Sequence, residues 1–223
     1  MPSWAPVYTE VTMKFLLLAL ALIPFGTFAY TAKEAIPMDQ FAILELGDLA
    51  KEDWHVGKLR GFPHTFEFSV TEPQTVRMQS MVFPDVSENE RVSLILVREI
   101  ERGVEEVMRR TGTSETWVPY EATGAKLSFI EHEPFIGELI PGVYRLEVSN
   151  PTNNGQYVLK VGFPDESMGY WEKLSNASEL RSLTGTSQFG LIKSSLVFMP
   201  LFIIGSLLGF AYIIRRKRQA KLG

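Results

Sequence analysis

The chain has 223 residues, of which 45% are hydrophobic and 22% are charged, a balance typical of a globular protein rather than a disordered one. Residues 30–188 contain fifteen Lys and Arg against twenty-five Asp and Glu, so their net charge is −10. An acidic segment of this kind argues against binding to nucleic acid or to an anionic membrane surface. The chain contains no cysteine, which excludes a disulfide scaffold and makes a bacterial cell surface the more natural setting.

The amino-terminal segment has the layout of a secretory signal. Lys14 precedes an apolar stretch that ends before Pro24, and small residues suited to a signal peptidase lead up to Ala29. We therefore predict that residues 1–29 are a signal peptide, cleaved after Ala29, and that translation starts at Met13. An uncleaved amino-terminal anchor is the alternative, but the apolar stretch is short for a membrane span.

The pattern of residues 30–165 predicts an extracytoplasmic β-sandwich. Apolar and polar residues alternate with period two, and turn residues separate the runs. We count about nine short antiparallel strands, enough for two packed sheets. The run 92–97 is mostly apolar and is expected to be a strand buried on both faces. The clearest hairpin pairs residues 143–148 with 157–161, and its apolar residues are expected to face one core: Tyr144, Leu146, Val148, Tyr157, Leu159 and Val161.

This hairpin also carries a resemblance to a known family. Pro141-Gly142 leads into alternating Tyr, Leu and Val, and the alternation returns after Gly155. The segment resembles the closing hairpin of bacterial pre-peptidase C-terminal domains, which are jelly-roll β-sandwiches appended to exported enzymes. The resemblance implies a jelly-roll-like, mainly β fold and an ancillary role rather than a reaction. In this sequence no catalytic domain precedes the sandwich and an apolar segment follows it, a plan similar to that of single-pass exported proteins of uncharacterised family.

The carboxy-terminal part predicts a connector, a membrane span and a basic tail. In the connector, residues 166–190, apolar residues recur at helical spacing and indicate a short amphipathic helix. Tyr170 and Trp171 are expected either at headgroup level or packed under the sandwich. Residues 191–214 are predicted to be a transmembrane helix, because nineteen of them, from Leu196 onward, carry no charge and extend over roughly 28 Å.

Cations flank the predicted span. Residues 215–223 form a basic tail in which Arg215, Arg216, Lys217 and Arg218 follow one another. The positive-inside rule places this tail in the cytoplasm, and therefore the sandwich outside the plasma membrane. Lys193 is expected to extend toward the headgroups at the outer end of the span.

Two features of the sequence suggest contacts beyond the bilayer. Gly205 and Gly209 form a small-xxx-small pair that permits homo-oligomerisation through the span, although such pairs also arise by chance. Asp85, Ser87 and Asn89 place oxygen donors at alternate positions, as calcium loops do. The glycine and glutamate of the helix-loop-helix calcium motif are missing from this loop. A solvated turn is therefore the default interpretation, with calcium as the alternative, and no other cofactor is predicted.

Residues suited to catalysis are few. The histidines are His55, His64 and His132, and none stands in a nucleophile turn or at metal-ligand spacing. His132 lies between Glu131 and Glu133, and we expect it to be an exposed residue at the end of a strand. The sequence therefore predicts no catalytic site and favours a protein that is not an enzyme.

These patterns favour a membrane-anchored, non-enzymatic binding module whose ligand is a protein or a glycan. One alternative is an accessory subunit that tethers or stabilises an exported hydrolase. A second alternative is a cargo receptor of the secretory route, which shares the order of signal, sandwich, connector and span.

Overall fold

The computed structural model describes residues 30–113, 116–164 and 167–219. The predicted signal peptide, its cleavage site and the predicted start at Met13 lie outside the described residues. Twelve strands are described: β1 (Thr31–Ala35), β2 (Ile43–Glu45), β3 (Asp53–Arg60), β4 (His64–Val70), β5 (Gln74–Val82), β6 (Ser93–Ile100), β7 (Gly103–Arg110), β8 (Trp117–Ala122), β9 (Leu127–His132), β10 (Phe135–Leu139), β11 (Gly142–Ser149) and β12 (Asn154–Val161).

The strands form two packed sheets, which confirms the predicted mainly β sandwich. Sheet A has the order β1-β3-β12-β5-β9-β8, with β10 also paired to β5, and sheet B has the order β2-β4-β11-β6-β7. Neighbouring strands are antiparallel except at one side of the sandwich, where β1 pairs with β3 and β2 pairs with β4 in parallel. The sequence did not predict β1 or β3. Lys33 on β1 and Asp53 on β3 form an ion pair. Charged residues at these positions interrupt the alternation of apolar and polar residues that identified the other strands.

The inner faces of the two sheets form the first core. All six apolar residues of the predicted hairpin, from Tyr144 to Val161, belong to it, as predicted. The predicted pairing of the two strands was wrong. β11 pairs with β4 and β6 in sheet B and β12 pairs with β3 and β5 in sheet A, so the turn between them crosses from one sheet to the other and their apolar faces meet across the core. The expectation for the run 92–97 was wrong. Leu94 and Leu96 are buried, but Ile95 and Val97 are only partly buried, because they lie on the outer face of sheet B beside charged residues of β11.

The outer face of sheet A forms a second core with α1 (Tyr170–Leu183). Ala177 and Leu180 of the helix pack against apolar residues of the sheet, and Leu174 and Leu183 are partly buried beside them. The structure therefore has three layers, sheet B, sheet A and α1. The predicted connector helix is present, and its buried face lies on the sandwich.

A second helix, α2 (Ser195–Gln219), follows a 3-10 turn over Gln188–Lys193. Its segment Ser195–Ile213 has a mean hydropathy of 2.2 and is long and apolar enough to cross a membrane. Beyond Leu196 this segment is not buried against the sandwich. Its first turn is attached to the sandwich. Leu196 is buried in the second core, and the hydroxyl of Tyr170 donates to the carbonyl oxygen of Leu196 at 2.6 Å.

Arg181 fixes the far end of α1. Its side chain is buried, and its guanidinium donates to the carbonyl oxygens of Ala125 at 2.8 Å and Ser187 at 2.7 Å. A third bond reaches the carbonyl oxygen of Lys126 at 3.2 Å. One side chain thus joins α1, the β8–β9 turn and the 3-10 turn. A Cβ at Gly190 would overlap this guanidinium, which explains the glycine at that position.

Replacing Arg181 with Ala should lower the free energy of unfolding by about 3 kcal/mol, because buried carbonyl groups lose their donors. Urea unfolding of the full chain in detergent micelles measures the change. Arg102→Ala is the matched control, since Arg102 is exposed in the β6–β7 turn and should change little. Equal stability of the two variants would show that Arg181 does not hold the layers together.

Candidate functional site

A cleft of about 190 Å³ opens in sheet A beside β3, near the carboxyl end of α1. Its lining comes from β1 and the residues after it, from β3 and its turn, and from the ends of β12 and α1: Glu34, Ala35, Ile36, Pro37, Val56, Gly57, Lys58, Arg60, Phe62, His64, Gln156 and Leu183. α1 has fourteen residues and begins beside Leu196, so its length places the cleft roughly 20 Å from the start of α2.

The cleft exists because β1 ends before β3 does. Their pairing runs from Thr31 beside Asp53 to Ala35 beside Gly57. Pro37 has no backbone N–H for a further ladder bond, and β3 continues to Arg60. Along Lys58–Arg60 the strand β12 lies on one side, and within the described ranges no strand lies on the other. The carboxyl end of β3 is therefore an open sheet edge that faces the cleft.

Two hydrogen bonds hold the floor of the cleft. His64 Nδ1 and the hydroxyl oxygen of Tyr157 lie 2.8 Å apart, and Gln156 Nε2 donates to the carbonyl oxygen of Leu183 at 3.0 Å. Burial lowers the pKa of His64 and raises the pKa of Tyr157, so both side chains are neutral at pH 7. A Cβ at Gly57 would overlap the Tyr157 ring, so a larger residue there would displace this pair.

Exposed apolar side chains continue from the rim of the cleft along the β1–β2 connector, residues 36–42. Met38 is 98% exposed and Phe41 is 82% exposed, and Ile36 and Ile43 are also exposed. A single exposed apolar residue is ordinary, but four within eight positions of one segment indicate an interaction surface. This segment and the cleft share Ile36 and Pro37, so they form one continuous surface.

The charges on the cleft have the opposite sign to those of the surrounding domain. Lys58 and Arg60 are exposed on its rim, and Glu34 is the one acid among the residues that line it. Residues 30–188 carry a net charge of −10. A ligand with acidic groups is therefore attracted to this site more than to the rest of the sandwich.

A second cluster of titratable groups surrounds Lys160 on the outer face of sheet A. The Lys160 ammonium lies 4.3 Å from the ring centre of Tyr120 and 5.2 Å from that of Trp54. Glu131 Oε2 is 3.4 Å away, and Trp54 Nε1 donates to Glu52 at 2.5 Å. Burial lowers the pKa of Lys160, against the opposing effect of the two carboxylates. Because the lysine is buried under these rings, we interpret the cluster as a structural link between β3, β8, β9 and β12.

All three histidines are buried, so the expectation that His132 is exposed was wrong. His132 is 0% exposed, its ring packs edge-on against Trp117 at 5.2 Å, and its Nδ1 lies 2.8 Å from the carbonyl oxygen of Glu133. The reason is the strand period, which turns His132 to the same side as Ile130, a residue that packs against the first core. His55 is buried on β3, beside the ion pair of Lys33 and Asp53.

The loop with the predicted calcium donors is closed by its own side chains. Asp85, Ser87 and Asn89 are all exposed, and a 3-10 turn begins after Ser87. The backbone N–H of Ser87 donates to Glu90 Oε2 at 3.1 Å, the bond that the acidic residue of a capping box accepts, and the Ser87 hydroxyl donates to the same oxygen at 3.0 Å. Among the described residues no group of three or more His, Cys, Asp or Glu is placed to hold a metal ion. Calcium binding stays a prediction.

The structure brings together some of the residues predicted to lie at the membrane. Tyr170 lies at the start of α1 and contacts the first turn of α2, and Trp171 beside it is 77% exposed. Lys193 is exposed just before α2. The four basic residues at 215–218 lie in the last turns of α2, and Gly205 and Gly209 lie one turn apart on the same helix with open space around them. Their roles stay predictions.

Comparisons with known proteins yield only distant likenesses. No protein-family model matches the chain, and no curated protein matches it. The pre-peptidase C-terminal domain of a collagenase from Bacillus anthracis aligns with 56% of this chain and 96% of its own length, at 14% identity and a TM-score of 0.34. PliG from Aeromonas hydrophila, a periplasmic inhibitor of g-type lysozyme, aligns with 60% of this chain and 98% of its own, at 11% identity and a TM-score of 0.32. At these TM-scores neither likeness bears on function.

Neither the cleft nor the exposed apolar β1–β2 connector was predicted from the sequence. The site depends on where β1 ends, and neither β1 nor β3 has the regular alternation that identifies a strand. One signal was present: Pro37 stands among Ile36, Met38 and Phe41 in a segment too short and too irregular for a strand or a helix. Apolar residues in such a segment have no core-facing side, so they could have been recognised as surface contacts.

The histidines predict a dependence of stability on pH. Burial lowers the pKa of His55 from 6.5 to about 4. Between these values the unfolded chain binds a proton that the folded chain does not, so the free energy of unfolding should fall as the pH drops from 7 to 4, by about 3 kcal/mol. His55→Gln should flatten this dependence in urea unfolding of the full chain at several pH values. A variant with the same slope as the unmodified protein would contradict the assignment.

Proposed function

We propose that this chain is a single-pass, membrane-anchored β-sandwich that binds a protein or glycan ligand outside the cell. The cleft and the exposed apolar residues of the β1–β2 connector supply the ligand surface, and α2 supplies the anchor. One observation carries the proposal: the cleft lies beside Leu183 at the end of α1, while the start of α2 lies beside Tyr170 at its beginning. A protein anchored through α2 would hold this surface away from the bilayer, where a partner can reach it.

The role proposed is binding rather than catalysis. Each imidazole is buried, so none is available to a substrate as a general base. The cleft instead combines an apolar lining, cations on its rim and an open backbone edge, which are means of recognition. The acidic character of the rest of the sandwich would keep it apart from anionic lipid and nucleic acid.

The orientation rests on the charges beside α2. Basic residues 215–218 follow its apolar segment, and only Lys193 precedes it nearby. Cations of this kind remain on the cytoplasmic side during insertion, so the sandwich would lie on the other side.

The absence of cysteine from the sequence makes this topology easy to test. Met38→Cys should react with a membrane-impermeant maleimide on intact cells, because Met38 is almost fully exposed on the sandwich. Gln219→Cys, at the other end of α2, should react only after the cells are permeabilised. The reverse pattern would place the sandwich in the cytoplasm and remove the proposed function.

The ligand surface can be tested without disturbing the core. Met38→Ser combined with Phe41→Ser should abolish binding, because it removes exposed apolar area while leaving the folded packing intact. Photo-crosslinking in intact cells and a glycan array, both with the full chain, measure the binding. Val104→Ser is the matched control, since Val104 is exposed on β7, outside this surface. Equal binding by both variants would show that the β1–β2 connector is not the ligand surface.

A further inference from the structure

The open edge of β3 has the geometry of an acceptor for one more strand. β1 covers β3 only as far as Gly57, and Lys58–Arg60 have paired backbone on the β12 side alone. Backbone N–H and C=O groups on the other side need water or another chain as partners. We propose that an extended peptide segment of a partner protein adds to this edge as a short strand. The proposal rests on the proposed function and names the class of ligand.

The position of β1 supports strand addition over side-chain contact alone. β1 already pairs with β3 from Asp53 to Gly57, so a strand added at Lys58–Arg60 would extend an existing parallel ladder. The chain then leaves the edge at Ile36 and Pro37, and the cleft opens beside the position that the next residues of a strand would take. A peptide there would continue the sheet in line with β1.

The lining of the cleft specifies the side chains of the peptide. The exposed cations Lys58 and Arg60 attract acidic side chains, and only Glu34 opposes them within the lining. Ile36, Pro37 and Phe62 offer apolar contact. Residues of a strand alternate between two faces, so a peptide in which acidic and apolar residues alternate satisfies both requirements.

The size of the cleft favours a peptide over a small molecule. Its volume of about 190 Å³ is below the roughly 300 Å³ at which small-molecule sites begin. It can accept one or two side chains, while the backbone of the peptide bonds to the edge outside it. Strand addition obtains most of its affinity from such main-chain bonds and its specificity from small side-chain pockets.

The test uses the full chain in nanodiscs of phosphatidylcholine, a neutral lipid that does not attract charged peptides. The probe is a short fluorescent peptide of alternating Glu and Val, and its binding is followed by anisotropy. Two further versions carry backbone N-methyl groups, on every Glu in one and on every Val in the other. In a strand, alternate N–H groups point to the same side. Strand addition therefore predicts that one methylated version binds at least about tenfold more weakly and the other binds as well as the parent peptide.

Charge reversal provides the second comparison. Lys58→Glu combined with Arg60→Glu should weaken binding of the unmethylated peptide by about tenfold or more. Arg102→Glu is the matched control, because Arg102 is exposed in a turn outside the cleft and should leave binding unchanged. Circular dichroism of both variants checks that the sandwich is still folded.

Three results would overturn the inference: no binding of the peptide, equal binding of both methylated versions, or equal binding by the charge-reversed and control variants. A dimer of the full chain that the charge reversal dissociates would also overturn it, since a second copy would then occupy the edge. Failure of the proposed function is a separate outcome. If the peptide does not bind but Met38→Ser with Phe41→Ser still abolishes crosslinking in cells, strand addition is wrong and the binding role stands.

Discussion

Sheet A is apolar on both faces, and most of the architecture follows from the need to cover them. On β12, Leu159 faces sheet B while Val158 faces α1, and on β5 Met78 and Met81 divide in the same way. Burial of one such side chain contributes about 1.5–3 kcal/mol, so neither face is left in water. Sheet B covers the inner face. α1, the turn after it and Leu196 cover the outer face.

This cover decides where the apolar carboxy-terminal helix starts. α1 runs along sheet A, Arg181 turns the chain at its far end, and the 3-10 turn leads back along the helix. Gln188 lies beside Ser178, and Leu196 lies beside Tyr170 at the beginning of α1. The first turn of α2 thus belongs to the second core. The carboxyl end of α1 and the cleft beside it therefore lie away from the start of α2.

Regular alternation made the fold class predictable. β11 and β12 have apolar residues at every second position, so the buried face of each strand could be read from the sequence. Their pairing could not, because the dense turn between them leads from sheet B to sheet A instead of closing a hairpin. The apolar segment of α2 was predictable for a similar reason, because its composition alone defines it. The burial of the run 92–97 was not predictable, because a run of apolar residues does not reveal whether a further layer covers the outer face of the sheet.

The candidate site was not predictable in the same way, because it depends on an interruption. Pro37 identifies a place where pairing must stop, but nothing local shows that β3 continues past that place with an open side. That fact depends on Arg60, more than twenty positions later, and on the register between two strands with weak sequence signals. The burial of His132 follows from its position on the strand and not from the charges of Glu131 and Glu133 beside it. In both cases a contact between distant segments outweighed the local pattern.

The attachment of α2 to the sandwich would strengthen binding at a small site, because it fixes the orientation of that site relative to the bilayer. An edge of three residues and a cleft of about 190 Å³ offer few main-chain bonds, which by themselves give weak binding. A flexible linker would let the site sample many heights and angles above the bilayer. Here Leu196 and Tyr170 connect the first turn of α2 to the core, so in the proposed anchoring the cleft would keep one height and one orientation. A partner confined to the same surface would then meet it at a high effective concentration without first ordering a linker.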